Sequence, residues 1–277
     1  MTRTRASSAH YLTATRFALL EHLRNRFAMV LAVLFIPGWT SLVYRIVSER
    51  DVTFLLRASG EWVTAPGDRL SFLPAALNTV TAIIGFMMFT VTFRSSRFDQ
   101  RLTMAGYPRG ALIAAKLTAL LVVAALICAY TTALICLHWT PKQPIALWLS
   151  LFCAAMAYGG IGVMLGAVLR GELEGMFSMI MISIVDTTLQ SPFVNPAGDN
   201  DLIRYLPSYG TMQSGMSAAF LSSSPLPHLL LEALWFIGAI TAAGVAFKIN
   251  TRDRSGARVG PVRTRFGTTA GDRTRRA

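Results

Sequence analysis

Residues 111–137 read ALIAAKLTALLVVAALICAYTTALICL, an apolar run broken by one charge, Lys116. A helix crossing a bilayer needs about 20 such residues, because lipid offers the backbone no hydrogen-bond partner outside the helix itself. The pattern recurs, and the sequence predicts six spans at 28–47, 72–93, 111–137, 145–169, 176–190 and 229–249. The fifth is the shortest. The expected fold class is an all-α integral membrane protein, and 53% apolar against 14% charged residues fit that class. Pro37 and Pro74 are tolerable because neighbouring groups can satisfy the carbonyls a proline frees. Arginines precede the first run, as in a signal peptide, but the run fills a membrane thickness and reads as a retained span.

A net charge of +12 on a soluble surface would suggest nucleic acid, but here the basic residues lie in tails and loops. With both termini inside, Arg3, Arg5, Arg16, Arg24, Arg26, Arg94, Arg97, Arg101, Arg109, Arg170 and the segment from Lys248 all fall in the cytoplasm. The outer loops keep Arg45, Arg50, Arg57, Arg69, Lys142 and Arg204, mostly beside acidic residues such as Glu49, Asp51, Asp68 and Asp201. The positive-inside rule therefore selects N-in, C-in. Residues 1–26 read as a cytoplasmic arm carrying an amphipathic helix over 7–26. Leu12, Leu19, Leu23 and Phe27 recur there at helical spacing, which suits either an interfacial helix or an extension of the first span. Residues 27–250 form the transmembrane domain, and 251–277 a basic tail expected to be disordered.

No phosphate-cradling G-x-x-x-x-G-K-[ST] loop, H-E-x-x-H or G-x-S-x-G occurs. His10, His22, His138 and His228 are scattered, and Cys128, Cys136 and Cys153 lie in apolar runs as packing residues. No catalytic residue, metal site or cofactor is therefore expected in this chain.

Four features remain. The loop at 94–116, RSSRFDQRLTMAGYPRGALIAAK, reads as a helix to about Gly106, with Arg94, Arg97 and Arg101 on one stripe and Phe98, Leu102 and Ala105 on the next. Gly106-Tyr107-Pro108 ends it. It suits docking on a partner, or a charged loop kept for topology. In AMAYGGIGVMLG, Ala155 and Gly159, then Gly162 and Gly166, stand at the small-x-x-x-small spacing of close helix packing. The outer segment 191–227 contains two short helices, at 202–206 and 212–221, either re-entrant and lining a vestibule or a surface hairpin. Asp186 and Glu232, near the outer ends of the last two spans, suit a substrate pathway with Arg204, or are solvated ends of helices.

Taken together, the chain resembles the permease subunits of type-2 ABC exporters, which move drugs, antibiotics, lipids and glycans outward. The likeness rests on the flat helix before the first span, RFDQRLTMAGYPRGALIAAK between the second and third, GELEG after the fourth, and NPAGDNDLIRYLPSYG before the last. Asp99, Arg101, Pro108, Arg109 and Lys116 look like that family's second-to-third loop, with Asp99 where a glutamate is usual. The resemblance implies that 94–110 is a coupling helix and turn in which Arg97, Phe98, Asp99, Arg101, Leu102 and Arg109 contact a separate ATP-binding subunit. That partner would hold ATP and Mg. The resemblance also implies a second permease copy or related permease, outward export of a hydrophobic or amphipathic compound, as in antibiotic resistance, and residence in the bacterial inner membrane. Two other classes stay open: a membrane-embedded enzyme using Asp186 or Glu232, and a scaffold recruiting a soluble partner through its basic loops.

Overall fold

The computed structural model describes the backbone of residues 2–192, 194, 201–222 and 226–256; the side chains of 2–10, 97, 100, 103, 109, 201, 226–227 and 247–256 lie outside that description. The chain is mostly helical. Among the described residues, five helical stretches, Arg26–Ile46, Gly67–Ser96, Gly110–His138, Pro144–Val168 and His228–Ala246, are long and apolar enough to cross a membrane, which makes this a multi-pass membrane protein. That is one fewer than the six expected. The predicted fifth span is α7 (Glu172–Leu189), which holds Glu172, Glu174 and Asp186 within 18 residues and so falls short of a plainly apolar span.

Helix α1 (Thr2–Arg24) begins earlier than the predicted amphipathic helix and stops at Asn25, whose side chain caps α2 (Arg26–Val30) and donates to Thr90. α1 lies on the start of α5 (Arg109–His138), with the Tyr11 and Thr118 hydroxyls 2.7 Å apart. Its inward stripe is Ala18 and His22, while Leu12, Phe17 and Leu23 are exposed.

The first span continues from α2 through a π-helical turn, Leu31–Phe35, into α3 (Ile36–Ile46). The turn precedes Pro37, which has no N–H to give the carbonyl four residues back. That carbonyl belongs to Val33, and the Tyr130 hydroxyl donates to it at 3.1 Å. Ala28, Ala32 and Ile36 form the buried stripe of this span, and Val30, Val33, Leu34 and Trp39 are left outside.

At the centre stands α4 (Gly67–Met104), 38 residues or about 57 Å long, with 89% of its apolar window buried. It packs most closely on α6 (Pro144–Val168). A Cβ at Gly162 would strike the Gly85 carbonyl oxygen of α4, and one at Gly166 would lie 2.9 Å from the Phe89 carbonyl oxygen. The predicted small-residue spacing is thus an α4–α6 seam within one chain. Gly159 faces Leu120 of α5 instead, and Ala155 is buried in the same core. α9 (Leu226–Gly256) packs along the other side of α6, with Gly160 against Ala239 and Phe236. This helix runs past residue 250, where the tail was expected to begin; residues 257–277 lie outside the description.

The loop after the first span departs from an all-α expectation. β1 (Asp51–Leu56) and β2 (Glu61–Pro66) pair antiparallel, from Asp51 opposite Pro66 to Leu56 opposite Glu61, around a turn containing Gly60 at φ 71°. Phe54, Leu56 and Ala65 point inward, and Asp51, Thr53 and Thr64 outward, the period of two that a half-buried strand requires. The hairpin closes one end of the bundle over α8 (Tyr209–Phe220): the Ala58 N–H donates to Gln213 at 3.1 Å, and Phe54 meets Phe220 edge-on.

Because the α4–α6 seam has no room for side chains, Gly162→Leu is expected to lower the thermal midpoint in detergent, with an overpacking cost of about 1–3 kcal/mol. Gly244→Ala, at a site with no atom within 4 Å, is the control and is expected to leave the midpoint unchanged or raise it. Equal effects of the two would mean that α4 and α6 do not depend on close approach.

Candidate functional site

Two polar constellations stand out, one at each end of α4. The first is the end of α4 beyond its apolar stretch. The predicted coupling helix is no separate element: α4 continues unbroken from the span to Met104. Gly106, at φ 90°, then reverses the chain. The Ala105 N–H bonds the Arg101 carbonyl and the Tyr107 N–H bonds the Leu102 carbonyl, each at 3.0 Å, the latter being the six-to-one bond of a Schellman ending. Pro108 then caps α5.

Helical spacing divides this extension into two stripes. Ser95, Asp99 and Leu102 face inward; Arg94, Phe98, Arg101 and Ala105 are exposed, with Met104 beside them. Phe98 therefore shares the outer stripe with Arg101, and Leu102 sits on the other side. Lys116, two turns into α5, reaches back to bond the Asp99 carboxylate and the Ser95 hydroxyl, the latter at 2.7 Å. The Ser95 hydroxyl also donates to Asp99 at 3.2 Å. This half-buried cluster fixes the end of α4 to the start of α5. Arg94 donates through Nε and Nη2 to Glu172 of α7 at 2.9 and 2.7 Å, an exposed pair that adds orientation more than stability. Arg97 lies in α4 and Arg109 opens α5; their side chains are outside the described residues.

Nearby, Glu21 of α1 is half-buried against Lys116, Asp99 and Arg94. Burial raises its carboxyl above the usual range, and Lys116 opposes that rise. His22, the next residue, is buried with Nδ1 2.8 Å from the Ala18 carbonyl oxygen; burial lowers its pKa.

The second constellation gathers four helices at the N-terminus of α8. Asp186 of α7 is buried and accepts bonds from the Tyr158 hydroxyl of α6, from Gln190, and from the Ser208 N–H at 2.9 Å. Glu232 of α9 is also buried, and its Oε1 accepts the Thr211 N–H at 2.8 Å. Among the described residues its Oε2 has no partner, nor do Gln190 Oε1 and His228 Nδ1. Gly210 is necessary here: a Cβ would strike the His228 carbonyl oxygen. The two carboxylates predicted to line a pathway thus sit together on the first N–H groups of one buried helix. Negative charge is favoured at such an end, where N–H groups lack intrahelical partners. Arg204 lies exposed in the 3₁₀ turn Asp201–Tyr205, where the first of the two short outer helices was expected. The second, expected at 212–221, is α8, buried along nearly its whole length. Parts of 191–227, at 193, 195–200 and 223–225, lie outside the described residues.

Sequence reading missed the partners: Ser95, Glu172, Tyr158, Gln190, Ser208 and Thr211. Ser95 stands four residues before Asp99, a one-turn spacing that was legible. Tyr158, the one polar side chain in AMAYGGIGVMLG, was the visible sign of a polar tie in α6. Among the described residues no group of three His, Cys, Asp or Glu side chains is placed to hold a metal ion.

Asp186→Ala would orphan the buried Ser208 N–H and Tyr158 hydroxyl, at about 1–3 kcal/mol for each group. A clear fall in thermal midpoint is therefore expected. Glu232→Gln keeps an acceptor for Thr211 and removes an unpaired carboxylate oxygen, so its midpoint is expected to hold or rise. The reverse ranking would show that Asp186 does not anchor α8.

No family model matches the chain, and no curated protein matches it significantly.

Proposed function

We propose that this chain is the membrane-spanning permease subunit of an ATP-driven exporter, with both termini in the cytoplasm of a bacterial cell and the energy supplied by a separate ATP-binding subunit. The observation that carries this reading is the continuity of α4. One helix passes from the hairpin-capped end of the bundle, through its centre, to a polar extension that is locked to α5 yet presents Phe98, Arg101 and Met104 outward. A rigid element about 57 Å long with an exposed apolar and basic tip is suited to receive a push at one end and deliver it along the bundle.

The N-in, C-in arrangement needs a sixth crossing, which we assign to α7. Its inward face is polar, with Ser183, Asp186 and Thr187 buried, while Phe177, Ile180, Ile184 and Val185 are exposed. A helix that turns apolar residues outward and bonds its polar ones to neighbours is fitted to lipid. At 18 residues it is about 27 Å long, close to the hydrocarbon thickness. An apolar cargo is supported by a groove of about 430 Å³ between α6 and α9, lined by Ile161, Met164, Tyr205, Leu234 and Trp235. The exposed apolar faces of α3 and α7 are available to a second permease copy. In this reading Asp186 and Glu232 seat α8.

Affinity purification of the full chain from gently solubilised membranes is expected to recover a chain with a phosphate-cradling loop. Phe98→Ala with Arg101→Glu is expected to reduce that recovery about tenfold or more, equivalent to roughly 1.4 kcal/mol of binding, at unchanged permease yield. Equal recovery with the variant would remove the tip of α4 from the contact; recovery of no such chain with the wild type would remove the exporter reading.

A further inference from the structure

Beneath α1, at the end of the bundle where one apolar stretch ends and two begin, two spaces meet. Arg24 closes α1 just before the stretch from Arg26, Arg94 precedes the end of the stretch at Ser96, and Lys116 follows the start of the stretch at Gly110. This is the level at which lipid headgroups lie. The larger space, about 640 Å³, has apolar walls that include Ala14, Phe17, Leu20, Leu102 and Leu112. It falls within the roughly 300–1,000 Å³ of small-ligand clefts. The smaller, about 170 Å³, is bounded by Glu21, Arg24, Asn25, Thr90, Val91 and Arg94. Glu21, Arg24 and Arg94 line both spaces, so a single molecule with a polar head and an apolar chain can fill the two at once.

The charges define the head. Lys116 is committed to Asp99 and Ser95, and Arg94 spends Nε and Nη2 on Glu172. Arg24 is exposed and has no bonded partner among the described residues, and Nη1 of Arg94 takes no part in the pair with Glu172. Two guanidinium groups beside a small polar space suit a phosphate. Glu21 presents the opposite need: its half-buried carboxylate lies near the charges of Lys116 and Arg94 yet accepts no side-chain hydrogen bond among the described residues, and such burial is costly for a charged group. The complement is an ammonium bearing N–H donors, close to a phosphate and attached to an apolar chain.

We propose that the cleft beneath α1 binds a phospholipid with a phosphoethanolamine head, the phosphate between Arg24 and Arg94, the ammonium at Glu21, and an acyl chain along Phe17, Leu20, Leu102 and Leu112. The site is separate from the outer carboxylates and borders the tip of α4, whose Phe98 lines the larger space. It ties α1, α4 and α5 together through a molecule of the surrounding bilayer.

The test uses the full-length chain, purified in mild detergent, stripped of lipid, and titrated with phosphatidylethanolamine, phosphatidylcholine or phosphatidylglycerol of matched chains. Bound lipid is counted by native mass spectrometry. Phosphatidylcholine has the same phosphate and charge but no N–H on its nitrogen. The wild type is therefore expected to prefer phosphatidylethanolamine about tenfold, the size of one hydrogen bond to a charged group. Glu21→Gln is expected to erase that preference, and Arg24→Gln to weaken all three lipids. Ala14→Trp, which fills the apolar cleft while leaving every charge in place, is expected to abolish retention in a sample that stays monodisperse. Phosphatidylglycerol retained as well as phosphatidylethanolamine would overturn the proposal. So would an undiminished preference in Glu21→Gln, or wild-type retention in Ala14→Trp.

Discussion

The contact on which the other helices depend is the close approach of α4 and α6. Between helices in lipid, burying apolar surface adds little, because the chains it would leave are as apolar as the side chains it would meet. Association must come from packing density and from polar ties. Gly162 and Gly166 remove the side chains that would hold the two backbones apart, and α4 is consequently enclosed along nearly all of its apolar length. Its neighbours can then be peripheral and keep large apolar faces outward, as α3 does with Trp39, Leu42 and Ile46, and α9 with Leu230, Leu234 and Ile237.

Several polar groups inside this bundle bond across to a different helix. Asn78 and Thr81 of α4 bond Thr187 and Ser183 of α7 at 2.8 and 2.7 Å. Asp186, lying between those two residues of α7, holds Ser208 and Tyr158. α7 is thus attached by its polar face. Short of water, a carboxylate in such surroundings requires donors, and the free N–H groups at the start of α8 supply them.

What the sequence made legible follows from this physics. The spans around 28–47, 72–93, 111–137, 145–169 and 229–249 were visible because a helix in lipid must be apolar for about 20 residues. The end of the α4 extension was visible because Gly106 and Pro108 act locally. The hairpin at 51–66 was not recognised, although Val52, Phe54 and Leu56 alternate with Asp51 and Thr53, since six-residue strands are slight beside apolar runs four times as long. The break between span and coupling helix was drawn at Arg94 because charge begins there, but the backbone ladder does not depend on charge and α4 runs through. Asp186 and Glu232 were identifiable as unusual. Their meeting at α8 was not, because it joins residues from helices separated by the outer segment, and sequence spacing says nothing about such convergence.

The ties also form a continuous physical route. At one end the Ser95, Asp99 and Lys116 cluster compels α4 and α5 to move together, so a force on the turn between them cannot simply bend it. Along α4, Thr81 and Asn78 grip α7 at Ser183 and Thr187. Within that same turn of α7, Asp186 grips the first N–H of α8, and α8 carries the β-hairpin through Gln213. Contiguity of this kind does not by itself make a coupling mechanism, which requires an element with two discrete arrangements that both ends can bias. α8 has the features of such an element. It is short, it is seated by carboxylates rather than by its own continuation into a neighbour, and among the described residues Glu232 Oε2 and Gln190 Oε1 at its start have no partners. Those open acceptors lie at the start of α8, at the end of the bundle away from the α4 tip where the exporter reading places the ATP-binding subunit.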